Sequence, residues 1–460
     1  MKRRTWAVGL VVAVWAVAWQ QAELPARVLA QAPARQPAPV TRAQLPNGLQ
    51  VYVYEDHSVP VAAVSVWYRV GSKDEPPGRR GMAHLLEHLM FKGSRHVPPE
   101  EHARLIQRMG GISNAFTSSD VTVYWQKLPA SQLELALWLE AERMANLVLT
   151  QEKLATEREV VKEEFRQALQ NNPIGLAIDR FHAWMFEGTP YAWTPAGAIE
   201  DLDAVRLEDL ESFYRTYYVP ANAVLVVAGD VQAEQVLELA RRHFGPLPPG
   251  LAPPRPQVLF SAPRTAAGAT AVRSLAFPVQ LPGVLGGYAI PGASHPDRFA
   301  LEVAEQVLAG GDSSRLHRRL VREQQVAVFA EAGAVTYEKA GSFFLLGFFL
   351  PERASAGQLL QALQQEASRL ADEPPSAAEL ERAKSRLAAR RAFALESADE
   401  VARALGSAVV LEGGLEHFLA GVEPYLAVTA EEVAGVARRY FRPDNFTAVV
   451  IEPQASHATP

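Results

Sequence analysis

Ala204-Val205-Arg206-Leu207-Glu208-Asp209-Leu210-Glu211-Ser212-Phe213-Tyr214-Arg215-Thr216-Tyr217-Tyr218-Val219-Pro220-Ala221-Asn222-Ala223-Val224-Leu225-Val226-Val227 reads as a capped amphipathic helix, a Pro/Asn turn and an apolar strand. The chain spells the same plan a second time without a gap. Ala427-Val428, Glu431-Glu432-Val433, Tyr440-Phe441, Pro443, Asn445 and Thr447-Ala448-Val449-Val450 answer Ala204-Val205, Glu208-Asp209-Leu210, Tyr217-Tyr218, Pro220, Asn222 and Val224-Leu225-Val226-Val227. Repetition in register at this distance predicts an internal duplication. Between the copies, Gly245-Pro246-Leu247-Pro248-Pro249-Gly250 and then Pro253, Pro254 and Pro256 lack the amide donors that regular structure needs. The expected division is an N-terminal half over 44–245, a Pro-rich linker over 246–265 and a homologous C-terminal half over 266–455.

Strand patterns at Val61–Val70, Val121–Leu128 and Phe343–Phe349 mix with long helical patterns at Glu152–Gln170 and Ala377–Leu395, in an order that is not a strict βαβ alternation. The class this predicts is α+β: two homologous α/β-sandwich halves, each a mostly antiparallel sheet packed with helices.

A chain of 460 residues with 48% hydrophobic content is too long for one ordinary core and has the composition of a soluble globular protein. Its net charge of -6, with no long basic run after the first residues, gives no electrostatic footprint for nucleic acid. Lys2, Arg3 and Arg4 precede an apolar stretch from Trp6 to Ala18, too short for a spanning helix and patterned as an export signal. Residues 1–30 are therefore expected to be a signal peptide or N-terminal anchor, with small-residue cleavage sites at Ala16-Val17-Ala18 and Val28-Leu29-Ala30, and 31–43 an Ala/Pro-rich tether. The folded part is expected in the periplasm or anchored to the outer face of the cytoplasmic membrane. With no cysteine, any zinc must be held by imidazole and carboxylate.

One segment offers that chemistry. Gly81-Met82-Ala83-His84-Leu85-Leu86-Glu87-His88 puts two histidines four residues apart on one helix face, with a glutamate just before the second. The spacing inverts the order of the HExxH zinc-peptidase helix and marks His84 and His88 as metal ligands with Glu87 as general base. A catalytic zinc usually takes three protein ligands, so a carboxylate must come from elsewhere. In the helical pattern 156–168, at about 100° per residue, Glu164 falls on the stripe with Leu154, Glu157, Val160, Val161 and Ala168, whereas Glu163 falls with Arg158, Glu159, Lys162 and Arg166. An inward carboxylate on an apolar stripe is costly unless it is paired or metal-bound. Glu164 is thus the third-ligand candidate, and Glu157, two turns earlier, can hold a histidine's other N–H.

At these residues the chain resembles the pitrilysin, or inverzincin, family of zinc metallopeptidases, in particular its short-chain branch that includes the mitochondrial processing peptidase β subunit. The resemblance runs from about Leu45 to Pro453 and rests on Gly-Met-Ala-His-Leu-Leu-Glu-His-Leu-Met-Phe-Lys-Gly-Ser (81–94), Gly-Gly-Ile-Ser-Asn-Ala-Phe-Thr (110–117), Glu-Arg-Glu-Val-Val-Lys-Glu-Glu (157–164) and the duplication. It implies one zinc per chain, held by His84, His88 and Glu164, and endopeptidase chemistry with Glu87 as base. It also implies that Asn114, Ala115 and Phe116 form a strand to which extended peptide adds, and that Phe91 walls the subsite after the cleaved bond. Arg322 matches the family's substrate-holding arginine, but Phe329 stands where a tyrosine is usual. The implied assembly is a dimer, with a homologous non-metal subunit supplying arginine and tyrosine. The alternative is a catalytically silent scaffold that binds metal or a partner chain. Affinity alone does not separate zinc from manganese or cobalt. Neither a nucleophile-elbow nor a phosphate-loop spacing is present.

Overall fold

The computed structural model describes residues 39–251, 253, 258 and 271–454. The expected export segment, the tether up to residue 38, and residues 252, 254–257 and 259–265 of the expected linker lie outside the described residues.

Two sheets organise the chain. The first joins β1 (Val40–Gln44), β2 (Gln50–Glu55), β3 (Val61–Tyr68), β4 (Ile112–Thr117), β5 (Thr122–Pro129) and β6 (Ala223–Gly229) in the order β1-β2-β6-β3-β5-β4. The second joins β7 (Ala271–Phe277), β8 (Gly283–Pro291), β9 (Phe329–Thr336), β10 (Ala340–Phe348) and β11 (Phe446–Pro453) in the order β7-β11-β8-β10-β9. Without β1 the two orders are the same. Each sheet has one parallel pair, β2 with β6 and β7 with β11, and is otherwise antiparallel. The α+β architecture of two like halves is therefore present in the topology itself.

The repeated sequence unit folds the same way twice. Helices Leu207–Tyr217 and Ala430–Tyr440 lead through short 3-10 turns, Pro220–Asn222 and Pro443–Asn445, into β6 and β11. The turn asparagine does one job in both. Asn222 Nδ2 donates to the carbonyls of Tyr217 (2.9 Å) and Arg69 (3.3 Å), and Asn445 Nδ2 to those of Tyr440 (2.8 Å) and Ala289 (3.0 Å). Each ties a helix end to the neighbouring strand, satisfying carbonyls that the helix leaves without a partner.

Each sheet is covered on both faces, which is why β3, β6 and β8 are nearly continuous apolar runs rather than alternating ones. Helices of a sheet's own half cover one face. The other face takes a helix from the opposite half: Ala398–Val410 packs on the first sheet, and Pro173–Met185 on the second. Two glycines admit these visitors. A Cβ on Gly406 would lie 2.2 Å from the Trp67 ring, and one on Gly287 2.9 Å from Cζ of Phe181.

Some boundaries differ from the sequence expectation. Val40–Gln44, whose first four residues fall in the stretch read as tether, pairs along its length with β2 as an edge strand, for which its polar composition gave no signal. The long helix expected over Glu152–Gln170 is α-helical over Gln151–Phe165 and widens into a π turn over Arg166–Gln170. Among the described residues, no helix is long and apolar enough to cross a membrane.

Candidate metal centre

The motif helix, Met82–Leu89, begins at Gly81, whose φ of 89° is a conformation that glycine adopts readily. Its first amides are not left bare. The buried carboxylate of Glu75 accepts from Gly81 N (3.0 Å) and Ala83 N (2.8 Å), and Trp193 Nε1 donates to the same group (3.1 Å). Burial still pushes Glu75 up to about 8. This clamp fixes the first turn, and His84 and Glu87 follow from it.

The distal helix, Gln151–Phe165, capped by the Thr150 side chain on Lys153 N, lies against the motif helix. Glu164 sits in its last turn, just before the π turn, a local widening common at functional sites. Its neighbour Glu163 faces solvent and pairs with Arg166 (3.2 Å). Leu154, Glu157 and Val161 are buried as the phase argument requires, whereas Val160, at the border of that stripe, is 40% exposed.

His84, His88 and Glu164 converge. The two Nε2 atoms are 3.2 Å apart, and Glu164 Oε2 lies 3.6 Å from His84 Nε2 and 3.4 Å from His88 Nε2. Bonds of about 2.0–2.1 Å at a tetrahedral zinc put neighbouring donors about 3.3 Å apart, so this triangle has the size such an ion needs. Among the described residues it is the one group of His, Cys, Asp and Glu with metal-holding geometry. Two imidazole nitrogens and a carboxylate oxygen also form the donor set that zinc prefers when no thiolate is available.

The surrounding charges act oppositely on the two rings, and His88 must give up its proton to bind a metal. Burial lowers His84 well below the usual imidazole range, which keeps it neutral and able to donate a lone pair. Burial also works against charge on His88, but hydrogen bonds to Glu157 and Glu164 outweigh it and push that ring up to about 10. Glu157, 3% exposed, lies 3.4 Å from His88 Nδ1 and 3.2 Å from Lys92 Nζ. Burial opposes its ionisation, yet His88 and Lys92 hold it below the usual carboxylate range. Burial lifts Glu87 to about 7, while the nearby His88 and a 2.5 Å hydrogen bond from Thr117 Oγ1 to its Oε2 pull the other way.

The residues expected to touch substrate are placed less uniformly. β4 is an edge strand of the first sheet, so its outer backbone edge carries no sheet partner among the described residues. Along it, Ala115 and Thr117 face the motif helix, whereas Phe116 packs on the opposite face, edge-on to Trp67 at 6.0 Å. Asn114 alternates to the Phe116 side, and its Oδ1 accepts from Ala115 N at 2.9 Å. Phe91 is half-buried, packed against His102 and Tyr124 with the Arg143 guanidinium 5.3 Å from its ring centroid. Arg322 is exposed and pairs with Asp312 (3.3 Å). Phe329 opens β9, the edge strand of the second sheet, and is 38% exposed.

Sequence reasoning missed Glu75 and Thr117. An acid shortly before a helix start could have suggested the first, whereas Thr117 reaches Glu87 only through sheet pairing. In the second half, Asp297–Ala309 and Ala377–Phe393 hold the topological places of the motif and distal helices, and there an ion pair bridges them. Arg390 lies 3.3 Å from Glu302 and 3.8 Å from Glu305. Among the described residues of that half, no group of His, Asp and Glu has metal-holding geometry.

Comparison with known proteins gives two family matches along the chain. Residues 50–197, which contain all three converging side chains, match the family model described as Insulinase (Peptidase family M16), and residues 204–387 match the one described as Peptidase M16 inactive domain. The chain is 32% identical over 414 residues to the zinc protease PqqE of Helicobacter pylori, covering 89% of this chain and 92% of that protein. It is 28% identical over 431 residues to a probable mitochondrial-processing peptidase subunit beta of Arabidopsis thaliana, covering 90% of this chain and 79% of that one. The crystal structure of a protease from Helicobacter pylori superposes with a TM-score of 0.83 at 31% identity, covering 91% of this chain and 100% of the other. With two models of the family matching 50–197 and 204–387, and a relative at 32% identity covering 89% of its length, the chain belongs to peptidase family M16.

Proposed function

We propose that this chain is an exported zinc endopeptidase that hydrolyses extended peptides with Glu87 as general base. The observation that carries the reading is the convergence of His84, His88 and Glu164 within 3.6 Å beside a buried glutamate on the same helix. Bound there, zinc supplies Lewis acidity, polarising the scissile carbonyl and lowering the pKa of a water towards about 7. Glu87 takes the proton of the attacking water and returns it to the departing amine. Glu157 holds His88 by its far nitrogen. The free edge of β4 receives peptide main chain as an added strand, which brings the scissile bond past the motif helix.

The assembly we propose is a dimer with a homologous non-metal subunit. Its support is Phe329, which has no hydroxyl to donate at a position where the family commonly has a tyrosine. The same residue favours the second reading, a silent scaffold subunit, against which stands the intact Glu87: a structural metal site needs no base. Export rests on Lys2, Arg3, Arg4 and the apolar run after them, and cell fractionation followed by N-terminal sequencing of the mature chain tests it.

The deciding experiment purifies the chain with whatever co-elutes, measures zinc per chain and follows cleavage of a mixed peptide library. Glu87→Gln is expected to keep zinc and lose roughly 10²–10⁴-fold in turnover, whereas His84→Ala, His88→Ala or Glu164→Gln lose zinc and turnover together. Equal cleavage by wild type and Glu87→Gln would end the hydrolase assignment, and zinc without cleavage in any preparation would leave the scaffold reading.

A further inference from the structure

The hydroxyl of Thr117 is buried, 4% exposed for the residue, and it donates a 2.5 Å hydrogen bond to Oε2 of Glu87. Among the described residues no other hydrogen bond reaches that carboxylate. Thr117 closes β4 and stands opposite Thr122, the first residue of β5. The local backbone does not need its hydroxyl. Thr122 Oγ1 donates to Val70 O (3.0 Å), Ser118 Oγ accepts from Asp120 N and Val121 N, and Ser118 N donates to Val121 O (2.8 Å), so the turn between the strands is satisfied without it.

That turn is also held from outside, by both halves of the molecule. Ser72 N and Lys73 N donate to the carbonyls of Ser118 and Ser119, each at 3.1 Å. The carboxylate of Asp120 accepts from Tyr191 OH (2.7 Å) and, across the boundary between the halves, from Glu338 N (2.8 Å), with Lys73 Nζ at 3.4 Å. Thr117 is therefore a fixed donor on a clamped turn, aimed at the one acid on the motif helix.

We propose that Thr117 is a positioning residue for the hydrolysis: its hydroxyl holds Oε2 of Glu87, fixes the rotamer of that side chain, and leaves Oε1 as the oxygen that takes the proton from the attacking water. The water O–H bond breaks, the O–H bond forms at Oε1, and the donor at Oε2 stays where it was through the transfer. A general base gains its rate from being held within hydrogen-bond reach of the proton it removes, so freeing it lowers kcat and leaves ground-state binding alone.

This inference rests on the peptidase reading above, and the wild-type rate is the control that separates the two. The zinc-loaded full-length chain, with its co-eluting partner if there is one, is assayed as wild type, Thr117→Val, Thr117→Ala and Thr117→Ser for kcat, KM and zinc per chain. Loss of a hydrogen bond to a charged group predicts that Val and Ala each lower kcat roughly ten- to hundredfold, with KM and zinc content unchanged and Ser restoring kcat to within about threefold of wild type. Ala is small enough to be accommodated where Val disturbs the turn. The proposal is overturned if Ala keeps kcat within about threefold of wild type, if Ser falls as far as Val, or if the loss of rate follows a loss of zinc. A wild-type chain that cleaves nothing removes the peptidase reading and this inference with it.

Discussion

Oε2 of Glu157 lies 3.4 Å from Nδ1 of His88, across the ring from the nitrogen that meets Glu164. A carboxylate in this place fixes the tautomer that leaves Nε2 free to bind metal, and it strengthens that nitrogen as a donor. Lys92, 3.2 Å from the other oxygen, steadies the pair. Glu157→Gln should therefore weaken zinc binding about 10–100-fold in chelator competition, with the fold intact by circular dichroism. An unchanged zinc affinity would take Glu157 out of the metal site and leave it as a partner for Lys92.

The exchange of helices between halves gives a prediction in which two effects oppose. Replacing a glycine inside a helix with alanine ordinarily stabilises by roughly 0.5–1 kcal/mol. At Gly406 the new methyl would lie 2.2 Å from the buried Trp67 ring, and packed cores resist such insertion at about 1–3 kcal/mol. The clash wins, so Gly406→Ala should lower the urea midpoint. In a Trp67→Leu background the same change should cost less, and equal losses in both backgrounds would mean that the ring is not what the methyl meets.

What could be read from the sequence follows how local each signal is. A helical period is local, so the side of the distal helix on which Glu164 stands, opposite Glu163, was legible without any tertiary information. The repeat carried the two-half plan for the same reason, since each copy is one helix-turn-strand unit. Sheet neighbours are not local. Nothing in Ile112–Thr117 announces that Thr117 reaches Glu87 or that Phe116 turns to the opposite face against Trp67, because alternation alone does not say which face holds the metal. Arg390 between Glu302 and Glu305, likewise, becomes meaningful only when the second half is laid over the first.

Asn222 and Asn445 test the duplication energetically. Each side-chain amide donates to two carbonyls, one on its helix end and the other on Ala289 of β8 or on Arg69, one residue past β3. Asn→Ala removes both donated hydrogen bonds, which predicts a loss of about 1–3 kcal/mol at each site. Asn222 is 1% exposed and Asn445 half-buried, so the loss should be larger at 222. Chemical denaturation of the two single variants measures this, and a neutral Asn222→Ala would show that the shared turn does not stabilise its half.

His182 should make stability depend on acid. It lies on the helix that the first half lends to the second sheet, with its ring 4.9 Å from Phe186 and 5.7 Å from Tyr337, and its Nδ1 3.3 Å from Tyr337 OH. Its Nε2 is buried, with no hydrogen-bond partner among the described residues. Burial pushes the ring down to about 4 from an ordinary 6.5, against a weaker opposing pull from the Tyr191 backbone. The unfolded chain thus binds a proton below pH 6.5 that the folded chain refuses until pH 4. Stability is unaffected above about pH 6.5 and falls as pH drops through that window, by about 3 kcal/mol in all at 1.36 kcal/mol per unit. His182→Phe keeps a ring in the aromatic cluster and cannot take the proton, so the difference in unfolding free energy between wild type and variant, both in EDTA so that the ligand histidines titrate alike, should slope across pH 4–6.5 and be level above it. A difference that stays level from pH 7 to pH 4 would mean the ring protonates in the folded protein as easily as in the unfolded one.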